Sequence, residues 1–541
     1  MWDTDFPTKP EGNGTPRTSF YHQREKGVMM PNRIDESLRW FATYTPHNVA
    51  MVSAECAYTY AQLWGRVRRL SDSLRVHGSR PGDRIALLMQ NSHRYLELYH
   101  TAALLGAAVV PLNFRCNATE IEYVINHSGA ATLVFDSSYA QMISDVRSRL
   151  SAVERYVCAG GEPENTLSYE GLIEAGVERD QGVDPDPAGT YFQGYTSGTT
   201  GAPKGCIVPQ RQFFDCLQNV AMLYGIDAHN IELVVAPLFH EAPAVFALLQ
   251  LIRGGLVVVT ADSHPANICK LIERHRVTWA FMVPTMWSSL VNSDEIDDAD
   301  LSSLRTLMSG GSPLLTQTKE ALLEKLPGAG LNEFYGGTEL GLVTNLEPRG
   351  QRRKVRCVGK PVPGRFVELR DDDGRPVPQG QVGEVYVSGD ILLKEYFKNP
   401  EATAAARGSD GFLTLGDMGR FDEEGYLYIV DRKKDMIISG GENIFPNDVE
   451  DILYRHPAVL MAAVVGAPDS KWGEIVVAAV KLKEDASASE QELIAHCKTW
   501  LSSFKVPRKV DFYQDLPMST FGKVLRREVR RSYWTTTAVQ V

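Results

Sequence analysis

Short apolar runs that alternate with helical stretches are the feature that most restricts how this chain folds. The runs are centred near Ile85, Val109, Leu133, Val234, Val257 and Phe281. Between them lie stretches with apolar residues at helical spacing, such as residues 59–78 and 95–105. This alternation predicts parallel sheets covered by helices, and such sheets bind ligands at the carboxyl ends of their strands.

The pattern changes after about Asn345, where Gly, Pro and alternating β-branched residues become dense. This section predicts a small β-rich unit, and the helix–strand alternation after it predicts a second α/β unit. With 541 residues, the chain is too long for a single core. We therefore predict an α/β fold with an extension over residues 1–32, a large N-terminal domain of helix-wrapped sheets over 33–432, and a small α/β C-terminal domain over 433–541.

The composition argues against several classes of protein. A formal net charge of -11 argues against nucleic acid as the main partner. Eight cysteines without a C-x-x-C pair suggest neither a zinc site nor a disulfide framework, so a cytoplasmic location is expected. The longest weakly polar run, residues 101–112, is shorter than the roughly 20 residues of a membrane span, so no integral span is expected.

The stretch YTSGTTGAPKG, residues 195–205, is the strongest single indication of chemistry. No apolar face can be drawn through it at the period of a strand or a helix, so we expect neither. Its glycines let the backbone approach a ligand, its hydroxyl and amide groups can donate to anionic oxygens, and Lys204 adds a positive charge. A flexible surface loop is the alternative. A single lysine among so many donors favours a phosphate-binding loop, although the Walker A spacing is absent.

Four later stretches are weak indications when taken singly. In NEFYGGTELG, Tyr335 suits stacking on a planar base and Glu339 suits a hard divalent cation, but a strand end with a solvated acid fits equally well. LMSGGSPL, residues 307–314, is a glycine turn after a strand, and DRKKD, residues 431–435, is typical of a solvated face. Lys523 precedes a basic helix, where a lysine is normally just exposed.

Together and in this order, these motifs resemble the adenylate-forming superfamily of acyl-CoA synthetases, nonribosomal peptide adenylation domains and beetle luciferases. The resemblance extends from about Ile34 to Arg531, and the run ISGGENIFP is most similar to AMP-forming carboxylate–CoA ligases. It implies that a large domain binds ATP and the acid, while a small domain rotates over it on a hinge near Lys434. It also implies that Mg²⁺ and coenzyme A are needed, and that a homodimer is common.

The resemblance implies which residues bind the nucleotide. The residues expected around the phosphates are Thr196, Ser197, Gly198, Thr199, Thr200, Gly201 and Lys204. Those expected along the adenine and the α-phosphate are Gly311, Glu333, Phe334, Tyr335 and Thr338. Thr199 and Glu339 would lie at the magnesium ion. Asp417 would accept both ribose hydroxyls, and Arg432 would also contact the ribose.

The two half-reactions assign further roles. ATP first converts the acid into an acyl adenylate, a step that brings two anions together and needs cations where charge develops. Lys523 matches the lysine that bridges the carboxylate and the α-phosphate in this step. The thiol of CoA then attacks, and a domain rotation lets Lys523 leave. After the rotation, Ser439, Gly440 and Gly441 would flank the pantetheine arm.

His240 and Glu241 concern the acid. A histidine after an apolar strand is often a core residue, but the matching position in the family lies beside the reactive carboxylate, which makes His240 a catalytic candidate with Lys523, Glu339 and Thr199. Glu241 replaces the apolar residue expected in a fatty-acid enzyme, so we expect a substrate with a polar or cationic group; otherwise Glu241 points away. The residues expected to line the acid pocket are His240, Glu241, Ala244, Phe281, Gly310 and Gly336.

The sequence therefore predicts an ATP-dependent, AMP-forming carboxylate–CoA ligase. The alternative within enzymes is a stand-alone adenylating enzyme that loads the phosphopantetheine of a carrier protein. A non-catalytic binding protein is disfavoured because the expected polar residues are all present, namely Lys204, Glu339, Asp417, Arg432 and Lys523. The identity of the acid is not determined.

Overall fold

The structure is a computed structural model that describes residues 31–179, 185–196, 203–389, 392–518 and 524–534. Residues 1–30 of the predicted extension lie outside these ranges.

The strands are numbered along the chain. They are β1 (Val49–Val52), β2 (Ala57–Thr59), β3 (Arg84–Leu88), β4 (Ala108–Pro111), β5 (Thr132–Asp136), β6 (Arg155–Ala159), β7 (Leu167–Ser168), β8 (Thr190–Thr196), β9 (Lys204–Pro209), β10 (Ile231–Val234), β11 (Leu256–Val259), β12 (Trp279–Met282), β13 (Thr306–Ser309), β14 (Gly330–Gly337), β15 (Gly341–Leu346), β16 (Lys360–Pro361), β17 (Arg365–Arg370), β18 (Gly383–Gly389), β19 (Glu395–Tyr396), β20 (Leu413–Phe421), β21 (Leu427–Arg432), β22 (Ile437–Ser439), β23 (Glu442–Ile444), β24 (Val459–Asp469), β25 (Gly473–Leu482) and β26 (Lys509–Phe512).

The α-helices follow the same numbering. They are α1 (Ile34–Tyr44), α2 (Tyr60–Val76), α3 (His93–Leu105), α4 (Ala118–Ser128), α5 (Ala140–Val146), α6 (Tyr169–Ala175), α7 (Gln210–Tyr224), α8 (Glu241–Leu251), α9 (Pro265–His275), α10 (Pro284–Val291), α11 (Glu295–Asp298), α12 (Thr316–Lys325), α13 (Pro400–Ala406), α14 (Pro446–Tyr454), α15 (Glu490–Trp500) and α16 (Arg526–Trp534). None of the helices in the described ranges combines the length and apolar character that a bilayer crossing requires.

Two large, mostly parallel sheets form the first part of the chain. The eight-stranded sheet has the order β19-β9-β8-β4-β3-β5-β6-β7, and the nine-stranded sheet has the order β16-β15-β14-β13-β12-β10-β11-β1-β2. Each apolar run of the sequence forms a strand in one of them, because a strand covered on both faces needs apolar residues throughout. The predicted helix over 59–78 is α2, which begins at a capping box of Thr59 and Gln62.

The two large sheets share one layer of helices. The largest buried cluster joins side chains of both sheets with those of α2, α3, α7 and α8. A second cluster packs α9, α10 and α12 on the far face of the nine-stranded sheet, and a third packs α4 and α5 on the far face of the eight-stranded sheet. The result is a five-layer arrangement in which the carboxyl ends of the parallel strands remain open to loops.

Two smaller sheets follow. Strands β17, β18, β20 and β21 form an antiparallel sheet, which is the predicted β-rich section. Strands β22 to β26 form a separate sheet that packs against α14, α15 and α16. The predicted α/β fold class, with a large sheet-rich N-terminal part and a smaller C-terminal part, is confirmed.

One local prediction was wrong. Residues 195–205 were expected to lie outside strands, but the two ends of this stretch are in β8 and β9, where Tyr195 pairs with Gly205 and Thr196 pairs with Lys204. Each end of the stretch contributes too few residues to a strand to show a period of two. These residues nevertheless continue the antiparallel ladder of β8 and β9. Residues 197–202 between them lie outside the described residues.

Candidate functional site

The predicted site residues of the large sheets follow the carboxyl ends of parallel strands. Thr196 ends β8, His240 precedes α8 after β10, Gly310 follows β13, and Glu339 follows β14. Loops at this edge are where parallel sheets bind ligands. The edge therefore collects residues that are distant in the sequence.

Glu339 is held by two hydroxyl groups. The Thr196 hydroxyl donates to its Oε1 atom at 3.2 Å, and the Tyr396 hydroxyl donates to the same atom at 2.9 Å. Neither hydroxyl engages Oε2. The Lys204 ammonium lies 5.0 Å from the centroid of the Tyr396 ring. A buried carboxylate, hydroxyl groups and one lysine thus lie together.

Asp417 forms a second polar cluster. The Tyr335 hydroxyl donates to its Oδ2 at 2.7 Å, and Arg432 Nε lies 3.3 Å from its Oδ1. Asp417 and Arg432 are direct partners across the β20–β21 pair, so the backbone register sets this contact. Burial and the Asp417 carboxylate raise the pKa of Tyr335, which therefore remains a hydrogen-bond donor.

The residues expected along the adenine lie on both faces of β14. Tyr335 faces Asp417, whereas Phe334 packs against the rings of Phe246 and Phe281 at centroid distances of 5.5 and 5.7 Å. The Glu333 carboxylate forms a buried ion pair with Lys319 of α12. Alternation along a strand sends neighbouring side chains to opposite faces, so the motif does not act as one surface.

Three glycines differ in what surrounds them. A Cβ on Gly311 would meet only Val283, at 4.0 Å, so this position borders open space, and its φ is +82°. A Cβ on Gly310 would stand 2.4 Å from the Phe334 ring, and one on Gly336 would stand 2.1 Å from the Gly341 carbonyl oxygen. Close packing explains Gly310 and Gly336. Thr338 lies against Gly194: a Cβ added to Gly194 would stand 3.3 Å from the methyl group of Thr338.

The expected acid pocket adjoins an aromatic cluster. The His240 ring lies 3.9 Å from the Phe239 ring between centroids, at a tilt of 51°. Burial together with Arg115 lowers the pKa of His240 well below the usual range, so the imidazole is neutral. Ala244 and Phe281 are buried in the core. Phe281 lies 5.0 Å from Phe246 between ring centroids.

Glu241 begins α8 and is half-buried. Its pKa is raised to about 8, first by burial and then by the Glu339 carboxylate, while Arg365 lowers it. The charge of Glu339 therefore acts on the Glu241 carboxyl group, which starts the helix that follows His240.

The predicted hinge and CoA residues lie in the smaller C-terminal part. Lys434 is exposed and follows β21. Gly440 and Gly441 form the turn of the β22–β23 hairpin with φ of +61° and +86°, a geometry that favours glycine, and Ser439 precedes them. The hairpin alone therefore explains both glycines.

Several predicted residues lie outside the described residues. They are Ser197, Gly198, Thr199, Thr200, Gly201 and Lys523.

Comparison with known proteins identifies the chain. The model of the AMP-binding enzyme family matches residues 38–397, and that of the AMP-binding enzyme C-terminal domain matches residues 448–523. The chain belongs to the AMP-binding enzyme family.

Relatives of this AMP-binding enzyme cover nearly its whole length. It is 36% identical over 495 residues to a feruloyl-CoA synthase of Amycolatopsis, spanning 91% of this chain and 97% of that protein. It is 33% identical over 515 residues to a long-chain-fatty-acid–CoA ligase of Mycobacterium tuberculosis, spanning 92% and 98%. The ATP-bound MatB of Rhodopseudomonas palustris superposes with a TM-score of 0.86 at 28% identity, over 93% of this chain and 99% of that one. The predicted class, an AMP-forming acid–CoA ligase that uses ATP, Mg²⁺ and CoA, is confirmed.

The donor set of this AMP-binding enzyme fits a magnesium ion. Mg²⁺ prefers hard oxygen ligands and is usually held by one or two carboxylates, with water and phosphate oxygens completing the shell. Glu339 offers such a carboxylate, with Oε2 left outside its two hydroxyl contacts. In the part of the chain that the structure describes, no three or more His, Cys, Asp or Glu side chains are grouped so that they could hold a metal ion.

Sequence reasoning missed two residues. Tyr396 contacts both Glu339 and Lys204, and Arg526 joins α16 to β21 and α14. The only signal for Tyr396 was an aromatic residue in KEYFKNP, and for Arg526 an arginine in the basic run after Lys523. Neither pattern distinguishes a site residue from an exposed one.

Proposed function

We propose that this ligase activates a carboxylic acid that carries a polar or cationic group, and then transfers the acyl group to CoA. The observation that carries the choice of acid is the half-buried Glu241 carboxyl at the start of α8, directly after His240. A fatty-acid pocket would gain nothing from an acid there, because burying a carboxyl without a partner costs free energy.

The nucleotide-binding residues are proposed on the two polar clusters. Asp417 accepts both ribose hydroxyls, because a carboxylate matches a vicinal diol, and Tyr335 and Arg432 orient it. Thr196 and Lys204 contact the phosphates at the entrance to the 197–202 segment. Tyr335 and Gly311 border the adenine, with Glu333 and Phe334 supporting β14 from its two faces.

Glu339 and Thr199 are proposed to hold the magnesium ion. The ion, when bound, supplies positive charge to the phosphate oxygens where negative charge develops. Glu339 orients it through Oε2, while Thr196 and Tyr396 fix the other carboxylate oxygen.

The acid is proposed to bind beside His240, whose neutral imidazole contacts the carboxylate by a hydrogen bond rather than by charge. Lys523 approaches the carboxylate and the α-phosphate in the first half-reaction. The small domain, proposed over 433–541, then rotates about Lys434, so that Ser439, Gly440 and Gly441 face the pantetheine arm. The exposure of Gly440 and Gly441 supports the proposal, because a loop that meets a ligand after the rotation must be accessible.

The choice of acid predicts a pH dependence. Below its pKa of about 8, Glu241 is protonated and attracts no cation. For an acid carrying a permanently charged betaine group, KM is expected to fall about fivefold between about pH 7 and pH 8, and to level off above about pH 9. ATP–pyrophosphate exchange measures this, because it reports the first half-reaction without the CoA thiol.

Two controls sharpen this test. A plain fatty acid of equal length should show no such dependence, and Glu241→Gln should remove it for the betaine acid by keeping the shape without the charge. An unchanged preference between the two acids in Glu241→Gln would show that Glu241 does not contact the substrate.

The acceptor is tested separately. Wild-type enzyme with ATP, an acid panel and either CoA or a holo-carrier protein should form a thioester with CoA, detected by mass spectrometry. Thioester formation only on the carrier would favour the alternative, which is supported by 32% identity to a fatty acid–[acyl-carrier-protein] ligase of Streptomyces coeruleorubidus.

A homodimer and a cytoplasmic location stay predictions; eight free cysteines agree with a reducing compartment.

A further inference from the structure

Tyr396 touches both charged groups on the phosphate side of the site. Its hydroxyl donates to Glu339 Oε1 at 2.9 Å, and its ring centroid lies 5.0 Å from Lys204 Nζ. Tyr396 is buried, with 6% of its surface exposed, so neither contact is a chance encounter of mobile surface groups.

The backbone around Tyr396 is tied to the same two elements. Strand β19 pairs Tyr396 with Cys206 of β9. The Leu393 amide donates to the Glu339 carbonyl at 2.8 Å, and the Phe397 amide donates to the Gly205 carbonyl at 2.8 Å. This short segment therefore fixes the Tyr396 side chain relative to both Glu339 and Lys204.

The two contacts have different chemical requirements. A hydrogen bond to one carboxylate oxygen orients the carboxylate plane and so decides where Oε2 points. The face of an aromatic ring attracts an ammonium group and fixes its position. Tyrosine supplies both, whereas phenylalanine would keep only the ring and leucine would keep neither.

We propose that Tyr396 is a positioning residue that aligns the magnesium carboxylate, Glu339, with the phosphate lysine, Lys204. The inference rests on the proposed role of Glu339 at the metal. It assigns Tyr396 no contact with substrate: the hydroxyl acts on metal binding through Glu339, and the ring acts on phosphate binding through Lys204.

The test separates these two actions by equilibrium titration of the full chain with α,β-methylene-ATP, with Mg²⁺ and with EDTA. In Tyr396→Phe, the factor by which Mg²⁺ strengthens binding of the nucleotide should be about 10-fold smaller than in wild type. The affinity for the nucleotide without Mg²⁺ should stay within about twofold of wild type. In Tyr396→Leu, the metal-free affinity should fall as well, by about 2- to 5-fold, because Lys204 loses the ring.

Tyr224→Phe is the matched control. It removes one tyrosine hydroxyl hydrogen bond, from Tyr224 at the end of α7 to Asn345 Oδ1 of β15 at 3.1 Å. This variant should bind the nucleotide as wild type does. If Tyr396→Phe keeps the full Mg²⁺ effect, the inference is overturned while the proposed function stands. If wild type itself shows no Mg²⁺ effect, the proposed metal role fails and the inference fails with it. Tyr396→Phe tests the positioning role of the Tyr396 hydroxyl even if Tyr396→Leu does not fold.

Discussion

Replacing Lys523 by alanine is expected to slow adenylate formation by at least about 100-fold while leaving the transfer of a preformed acyl adenylate to CoA much less affected. In the first half-reaction a carboxylate approaches a phosphate, and a positive charge between them is needed most when the new bond forms. In the second half-reaction no second anion approaches, so the proposed rotation takes this lysine away without loss. Pyrophosphate release measures the first step, and rapid mixing of the acyl adenylate with CoA measures the second.

Lys498→Ala is the control for Lys523. It removes an exposed lysine from α15 in the same C-terminal part, so it makes the same change in net charge at a position with no assigned role in the reaction. Both half-reactions should stay near wild type in this variant. Equal losses of both half-reactions in Lys523→Ala would contradict the assigned role and indicate a general defect of the C-terminal domain.

Replacing Arg526 by methionine is expected to destabilise the C-terminal domain by about 3–5 kcal/mol. The guanidinium donates to Asp431 Oδ1 at 2.8 Å and to Glu450 at 2.8 and 2.6 Å, and it also contacts the side-chain oxygen of Asn447. The side chain of Asp431 is only 2% exposed, so removing its cation leaves a buried negative charge without compensation. Adenylate formation should fall too, because Arg526 anchors the helix that follows Lys523.

Arg530→Met is the matched control for Arg526. Arg530 lies one turn further along α16 and pairs with Glu474, but its side chain is 44% exposed, so its loss should cost at most about 1 kcal/mol.

The defect of Arg526→Met should depend on pH through Asp431. Burial already raises the pKa of the Asp431 carboxyl, and this pKa should rise further when Arg526 is removed. Protonation then relieves the defect, so the deficit should be smaller at about pH 5 than at about pH 8.

Amide hydrogen exchange of β24 and β25 measures the stability of this domain separately from the large sheets. Protection factors in Arg526→Met that equal those of Arg530→Met at both pH values would show that the buried ion pairs do not stabilise the domain.

The sequence predicted the strands of the two large sheets well because they are buried on both faces. Such strands are apolar at most positions: β12 is apolar throughout, and β3 and β10 are apolar apart from Arg84 and Glu232. The sequence was less informative about structure at the two ends of the 195–205 stretch. There β8 and β9 pair through backbone hydrogen bonds, which place no demand on the side chains of Thr196 and Lys204.

The candidate site combines residues from sequence motifs with residues that no motif indicated. Glu339, Asp417 and Arg432 lie in distinctive motifs, and the structure brings each to a polar cluster. That Phe334 and Tyr335 face opposite sides of β14 follows from strand alternation, and the structure shows that Phe334 packs on Phe246 and Phe281. The roles of the residues between 197 and 202, and of Lys523, stay predictions.

The sequence by itself determined the α/β fold class, the family and the ATP-dependent chemistry, because local motifs and periodicity reflect contacts between residues close in the chain. Only the tertiary structure decided that Tyr396 lies between Glu339 and Lys204 and that Arg526 binds Asp431. These contacts join residues far apart in the chain, and their strength depends on burial. Neither the distance across a fold nor the loss of water around a charge can be read from the order of residues.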